Sequence, residues 1–409
     1  MRTTRAKPSS ELRRWRNAVF TIFALCGFVF ATWASRVPGV RDLLQATTQE
    51  MGFLILGMSV GSIVGVVLAS HIVAWLGATR TILWVYGIVA VDLILLGPIV
   101  TFAPSFLPIF LGLLLLGGAS CVDVAMNLSG AANERAIGRT IMPLFHASFS
   151  GGTVAGAAIG ALLVQLHVPI GIHFSAVGVV ALVTTIVLVR FLQPAEAPVE
   201  EGAEQPEGGW RSRLAVWTDR RVLLIGLIVL GMAFAEGSAN DWLSLAFVDG
   251  HGLDNAGGAA VLTLFLAAMT VGRIGGTFVL DRFGRAPVLR SSAVLAVVGL
   301  LLVIFVPVEA VAIVGVVLWG LGASLGFPVG MSAASDDPRT ATAAVGAVAT
   351  IGYTAFLVGP PLIGLVGQQT GVLRALLVVL VLIAIAGLAS GAAKPPADVR
   401  RPVPAEGAQ

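Results

Sequence analysis

Residues 121–152 read CVDVAMNLSGAANERAIGRTIMPLFHASFSGG, which is two apolar segments joined by a charged turn. The first segment carries Asp123 and Asn127, which are four residues apart and therefore share one face of a helix. The second segment carries His146. If both segments cross a membrane, all three groups lie in the hydrocarbon layer. An ionisable group there is costly, and it indicates a functional site.

Composition supports the membrane-spanning interpretation. Hydrophobic residues make up 57% of the 409-residue chain and charged residues 11%, against roughly 45–50% and about 25% in soluble domains. Apolar runs of about 20 residues, the length of a transmembrane helix, recur along the chain. We predict an all-α integral membrane protein whose twelve helices lie at about 15–34, 50–73, 81–100, 105–128, 141–166, 170–192, 222–248, 257–280, 288–305, 310–333, 341–367 and 372–392.

Basic residues predict the orientation of these helices. One side receives 21 arginines and lysines and the other side only three, so the positive-inside rule predicts that both termini are cytoplasmic. The basic N-terminus is similar to the start of a signal peptide, but the apolar segment after it is too long for one. We expect a multi-pass protein of the bacterial cytoplasmic (inner) membrane.

The chain divides into two similar halves. GFVFA at 27–31 matches GMAFA at 231–235 with an offset of 204, and the loops at 75–77 and 282–284 match with an offset of 207. Between the halves lies a segment rich in Pro, Glu, Gly and Ala, a composition typical of flexible linkers. We therefore predict a cytoplasmic tail at 1–14, a six-helix half at 15–192, a linker at 193–221, a second half at 222–392 and a tail at 393–409.

Two motifs carry structural meaning. The segment Asp281-Arg282-Phe-Gly284-Arg285 resembles the loop signature of the major facilitator superfamily, in which charge contacts hold one gating state. We predict gating for it, with an Asp at a helix end pairing with arginines; the alternative is an ordinary basic loop that sets topology. In predicted helix 5, glycines recur every four residues from Gly152 to Gly160, which favours close helix packing.

The resemblance extends over most of residues 15–392. The segments WASRVP at 33–38, DVAMN at 123–127, MPLFHASFS at 142–150, AEGSANDW at 235–242 and the stretch 352–361 resemble the MosC-like branch of the same superfamily. The resemblance implies a twelve-helix fold, secondary transport, and a central cavity lined by helices 1, 4, 7 and 10. It also favours a polar, sugar-like solute.

The polar residues fall where that cavity is expected. Glu236 and Asn240 repeat the acid-plus-amide spacing of Asp123 and Asn127. We predict that the proton carriers are Asp123, His146 and Glu236. We predict that the solute contacts are Trp33, Arg36, Asn127, Asn240, Asp241, Trp319 and Tyr353. For each polar group the alternative is a satisfied residue that ties helices together, and for each aromatic it is core packing.

Helix length gives a depth for each group. At a rise of 1.5 Å per residue, Asp123 and His146 both lie roughly 8–10 Å from the cytoplasmic ends of their helices, so we expect them to be neighbours. Glu236 lies roughly 21 Å from the cytoplasmic end of its helix, and Arg273 roughly 10 Å, which predicts that these two do not pair. Asp241 is expected near the outer mouth.

We therefore expect a secondary active transporter that moves a small polar solute by proton-coupled alternating access. The alternatives are multidrug efflux by proton antiport and, from another class, a transporter-like membrane sensor. The sequence has no phosphate-binding Gly-Lys-Ser/Thr loop, no His-Glu-x-x-His motif and no nucleophile–base set. We expect no enzymatic activity, cofactor, metal or nucleic-acid partner; the partners we expect are the solute, protons and the lipid bilayer, and the protein is expected to be monomeric.

Overall fold

The structure, a computed structural model, describes residues 10–139, 141–193, 215–337 and 340–395. Within these ranges all regular structure is helical, and twelve helices are long and apolar enough to cross a membrane. We number them α1–α12. They run Ser10–Ala34, Thr48–Leu76, Ala78–Phe102, Phe106–Ile137, Met142–Gln165, Ile170–Phe191, Arg220–His251, Asn255–Phe283, Arg285–Phe305, Glu309–Ala334, Ala341–Thr370 and Val372–Ala393. The predicted all-α membrane fold is confirmed.

Several predicted boundaries lie outside the described ranges or differ from the structure. Most of the predicted linker, residues 194–214, and residues 1–9 and 396–409 of the tails are outside the described ranges. The helix α4 continues nine residues beyond its predicted end, to Ile137, and Gly138 ends it with a φ of 68°. Glu134, predicted in a charged turn, is helical and accepts hydrogen bonds from the backbone N–H of Ile141 and Met142 at 2.6 and 2.7 Å. It thereby satisfies two free N–H groups at the start of α5.

The two halves share backbone features. Gly77 before α3 and Gly284 before α9 both have a φ of 76°, a conformation that glycine adopts without strain. The helix α4 is interrupted at Ala119, and α10 is interrupted at Ser324 and Leu325. The positions 119 and 324 are 205 residues apart, close to the offset of the sequence repeats.

A short helix that the sequence analysis did not predict, Val37–Leu44, lies between α1 and α2. Pro38 is in its first turn, where a missing N–H costs nothing. Thr47 and Glu50 then form a capping box at the start of α2, with the Glu50 N–H donating to the Thr47 Oγ1 at 3.2 Å. The short helix and the capping box together connect α1 to α2, and Arg36 and Arg41 both lie in this connection.

Glycine allows α1 and α5 to touch backbone to backbone. A Cβ atom at Gly152 would lie 2.0 Å from the Ala24 carbonyl oxygen, and one at Gly156 would lie 2.6 Å from that of Phe28. The predicted packing role of the helix 5 glycines is confirmed. The hydroxyl of Ser148 also donates to the Phe20 carbonyl at 3.1 Å, which ties the same two helices.

The chain forms two compact units. The first contains the described residues up to 193 together with Ala239–Thr270 and Pro360–Leu373. The second contains residues 215–238, Val271–Gly359 and residues 374–395. The boundaries between these units fall within or beside α7, α8, α11 and α12, and the division into six-helix halves at the linker stays a prediction.

Candidate functional site

Asp123 lies near the middle of α4. It is seventeen residues after Phe106 and fourteen before Ile137, which places it about 21 Å from the predicted cytoplasmic end. Its side chain is half-buried. Among the described residues its carboxylate has no hydrogen-bond or ion-pair partner. Asn127 donates from Nδ2 to the backbone carbonyl of Asp123 at 2.7 Å.

His146 lies at the start of α5. It is the fifth residue of α5, which places it only about 6 Å from that end. The imidazole is exposed and meets the ring of Phe23 edge-on, with 5.2 Å between centroids. The start of α5 lies beside Glu134 rather than beside the end of α4. Measured along α1, which Ser129 contacts at Trp15 and Ser148 contacts at Phe20, the depths of Asp123 and His146 differ by only about 5 Å. The expectation that the two residues are neighbours stays a prediction.

Glu236 forms an ion pair that the sequence analysis did not expect. It is sixteen residues after Arg220 and fifteen before His251, the middle of α7. Its Oε1 accepts from the Arg273 Nη2 at 2.8 Å, and the Arg273 Nε donates to the Ser324 carbonyl at 3.4 Å. The prediction that Arg273 lies too far below is wrong. The helix α8 ends three residues later than predicted, and a long arginine side chain extends well beyond its own backbone position.

Further polar groups follow Glu236 along α7. Asp241 is half-buried and lies ten residues before the end of the helix at His251, so it is about 15 Å from that end rather than at the mouth. The Asn240 Oδ1 and the Trp242 Nε1 are buried and have no hydrogen-bond partner in the part of the chain that the structure describes. Polar atoms of this kind need a partner, either water or a solute.

Arg36 is buried in the turn between α1 and the short helix Val37–Leu44, beside a histidine that the sequence analysis missed. Arg36 is 5% exposed and His173, in the first turn of α6, is 1% exposed. The Arg36 Nε donates to the His173 Nδ1 at 2.9 Å. A single histidine within an apolar span was the available signal for His173.

The predicted aromatic contacts lie in different surroundings. Trp33 is buried, and its ring lies 6.5 Å from that of Phe174. Trp319 is fully buried where α10 meets α9 at Gly299. Tyr353 on α11 is 40% exposed.

The predicted gating motif uses a different carboxylate. Arg285 donates to Asp336 at 2.7 Å and to the Ser332 hydroxyl at 2.9 Å, and Arg221 donates to the other oxygen of Asp336 at 2.7 Å. Asp281 is exposed and has no ion pair with any described residue, while Arg282 lies 5.6 Å from the ring of Phe283. The expected pairing of Asp281 with arginines is therefore not found. Asp336 follows the end of α10, and an acidic pair at a helix end was its signal in the sequence.

The first compact unit has a polar network at the predicted outer face. Arg41 donates to both carboxylate oxygens of Asp249 at 2.5 and 2.6 Å, and Asp42 accepts from the Asn255 Nδ2 at 2.9 Å. Burial alone lowers the pKa of Arg41, but the hydrogen bonds and charges of Asp249 and Asp42 raise that pKa above its usual value overall. The contacts join the short helix Val37–Leu44 to the ends of α7 and α8.

Glycines join α2 to α11 at the same face. A Cβ atom at Gly52 would lie 2.7 Å from the Pro360 carbonyl oxygen, and one at Gly364 would lie 2.9 Å from the Gly52 Cα. Beside them, the Gln49 N–H donates to the Gln368 Oε1 at 3.3 Å. The contacts are close enough that the two backbones touch.

Comparison with known proteins identifies the family. The profile of the Major Facilitator Superfamily matches residues 18–353 and 242–409. An uncharacterised MFS-type transporter of Yersinia pestis is 30% identical over 349 residues, which cover 85% of this chain and 87% of that protein. The membrane protein MosC of Rhizobium meliloti is 28% identical over 382 residues, with 91% and 89% coverage.

Solved structures share the fold. A mutant of the nucleoside transporter NupG superposes with a TM-score of 0.73 at 16% identity, covering 94% of this chain and 100% of that one. A bacterial homologue of the lysosomal transporter Spinster gives 0.73 at 12% identity, with 94% and 98% coverage. The fucose:proton symporter FucP of E. coli gives 0.59 at 17% identity, with 93% and 100% coverage. With twelve apolar helices and these relatives, the chain belongs to the major facilitator superfamily of membrane transporters and is MosC-like.

Proposed function

We propose that this protein is a secondary active transporter of the bacterial inner membrane that moves a small polar solute by proton-coupled alternating access. The observation that carries the coupling is the Asp123 carboxylate, which lies in the middle of a membrane helix with no ion-pair partner among the described residues. Carboxylates at this depth in transporters serve as proton relays.

The second carrier is Glu236. Its carboxylate pairs with Arg273 at 2.8 Å, a contact between α7 and α8. Protonation of Glu236 releases the arginine, so proton binding changes a contact between α7 and α8. A proton is thereby coupled to a change in helix contacts, as alternating access requires. His146 stays a candidate that exchanges the proton with Asp123.

The solute is proposed to be polar. Asn127, Asn240 and Asp241 place amides and a carboxylate at membrane depth, and their hydrogen bonds suit hydroxyl groups better than an apolar drug. The structural relatives include a nucleoside transporter and a fucose:proton symporter, both of which have polar solutes in their names. A sugar-like solute is consistent with both observations.

Proteoliposomes that contain the full-length protein test the proposal. Uptake of radiolabelled glucose, galactose, myo-inositol, glucuronate and uridine is measured with and without a pH gradient. We expect gradient-driven accumulation of at least one solute by the wild type. Asp123→Asn and Glu236→Gln should reduce that accumulation by about tenfold or more, while solute exchange across an equilibrated membrane persists, because only the proton step is removed.

The matched control is Glu309→Gln, which neutralises an exposed acid at the start of α10. It should accumulate solute like the wild type. Full gradient-driven accumulation by both Asp123→Asn and Glu236→Gln would show that these residues do not carry the proton. Wild-type uptake that ignores the pH gradient would rule out proton coupling altogether.

A further inference from the structure

We infer that Arg36 and His173 form a buried subsite for an acidic group, so that the transported solute carries a carboxylate or a similar oxyanion. The inference rests on the proposed transport function and adds the chemical class of the solute. Arg36 is the most buried arginine, lysine, aspartate or glutamate in the described ranges, at 5% exposure. Its positive charge lies two residues beyond the end of α1, directly before the short helix Val37–Leu44.

Arg36 has no carboxylate partner among the residues that the structure describes. Four other described arginines, Arg41, Arg221, Arg273 and Arg285, each pair with an aspartate or glutamate. Within the described residues Arg36 donates only to His173, through Nε, and its buried Nη2 has no hydrogen-bond partner there. A buried, uncompensated guanidinium is costly unless an anion accompanies it.

The hydrogen bond between the two side chains fixes the protonation of the histidine. Because the His173 Nδ1 accepts from Arg36, that nitrogen carries no proton, and the neutral ring carries its proton on Nε2. The Nε2 atom is also buried without a partner in the described ranges. The unpaired atoms on both residues are therefore donors, and donors require acceptors. An oxyanion supplies both the acceptors and the missing negative charge.

The surroundings hold the pair in place. A Cβ atom at Gly160 would lie 2.0 Å from the Ser35 Oγ and 3.7 Å from the His173 Cε1. The helix α5 therefore packs against Ser35 and His173 only because residue 160 is glycine. The Ser35 hydroxyl is itself engaged, because it donates to the Thr32 carbonyl at 3.0 Å. The Trp33 and Phe174 rings pack beside the pair. The guanidinium is thus positioned before any solute binds, which limits the ordering cost of binding.

Thermal unfolding of the purified full-length protein with matched probes tests the subsite. The acidic probes are glucuronate, galacturonate and acetate, and the neutral probes are glucose, galactose and acetamide, all at constant ionic strength. We expect the acidic probes to raise the unfolding temperature of the wild type, and the neutral probes to leave it unchanged. Arg36→Gln should weaken binding of the acidic probes by about tenfold or more.

The control Arg374→Gln removes an exposed arginine at the start of α12 and should bind like the wild type. Arg36→Lys decides the case if Arg36→Gln does not fold. It keeps the charge but loses the planar fork, so binding of the acidic probes should weaken while the neutral probes stay inert. Equal binding of acidic and neutral probes, no binding of any acidic probe to the wild type, or full binding by Arg36→Gln or Arg36→Lys would overturn the inference.

Transport separates the two proposals. Gradient-driven uptake of glucose or myo-inositol with an unchanged KM in Arg36→Gln would overturn the acidic subsite and leave the transport function standing. Glucuronate binding that needs Arg36, in a protein that moves none of the solutes across proteoliposome membranes, would support the subsite and overturn the transport function.

Discussion

At the scale of single residues, the ion pair with Arg273 explains how the Glu236 carboxylate is tolerated inside the membrane. The side chains are 19% and 32% exposed, so the pair is only partly shielded from its surroundings. Removal of one partner leaves the other charge uncompensated at membrane depth, which costs more than the pair itself contributes. Loss of both charges should therefore cost little more than loss of one.

A double-mutant cycle measures this effect. We expect Glu236→Gln and Arg273→Gln each to lower the free energy of unfolding. The double variant should be about 1 kcal/mol more stable than the sum of the two losses predicts. Unfolding in sodium dodecyl sulfate gives the free energies. Pairing Arg273→Gln with Glu309→Gln is the control and should be additive. Additive losses in the Glu236/Arg273 cycle would mean that the ion pair contributes nothing to stability.

At the scale of helices, the contact between α1 and α5 depends on residue 152 being glycine, which has a hydrogen atom in place of a side chain. A Cβ atom at Gly152 would overlap the Ala24 carbonyl oxygen at 2.0 Å, and because that oxygen belongs to the backbone it cannot move aside. The neighbouring Gly151 is exposed and would place nothing within 4 Å of a Cβ atom. The two adjacent glycines therefore make a matched pair.

Gly152→Ala should lower the free energy of unfolding by about 2–3 kcal/mol, because the helices must separate to admit the methyl group. Gly151→Ala should be neutral or stabilising by up to about 1 kcal/mol, because alanine is the better helix former. The yield of monodisperse protein and the unfolding midpoint report both outcomes. A Gly152→Ala protein as stable as Gly151→Ala would contradict the close packing.

Hydropathy predicted all twelve helices because membrane spans need long apolar runs. It missed the end of α4 because the polar residues there remain helical. Hydropathy also carries no signal for the hydrogen bonds that Glu134 accepts from the backbone N–H groups at the start of α5. It placed Asp123, Glu236 and Arg36 at membrane depth, but it did not identify the partners of Glu236 and Arg36. Arg36 and His173 are 137 residues apart, and Arg285 and Asp336 are 51 apart, so only the fold brings them together.

At the scale of the whole molecule, transport by alternating access requires contacts that form in one state and break in another. We expect the contacts between α2 and α11 at the predicted outer face to be of this kind, because they join residues 49 and 52 of the predicted N-terminal half to residues 360–368 of the predicted C-terminal half. Gly52 and Gly364 let the two backbones pack closely. Because neither residue has a side chain, no interlocked side chains have to separate when α2 and α11 move apart. The polar network of Arg41 and Asp249 reinforces the contact with charge.

A cross-link at this face should stop transport. With Gln49→Cys and Gln368→Cys, a short bifunctional thiol reagent with a reducible link joins α2 to α11 beside the hydrogen bond from the Gln49 backbone N–H to the Gln368 Oε1 at 3.3 Å. We expect solute uptake in proteoliposomes to fall by about tenfold or more on cross-linking and to return on reduction, because the outer contacts can no longer separate. The matched control is Ser62→Cys with Ser120→Cys, which joins α2 to α4, where the two hydroxyls lie 2.6 Å apart. Both of these helices belong to the predicted N-terminal half, whereas α2 and α11 belong to different predicted halves, so this cross-link should form and leave uptake intact. Unchanged uptake after complete cross-linking of positions 49 and 368 would mean that these contacts stay closed throughout the transport cycle.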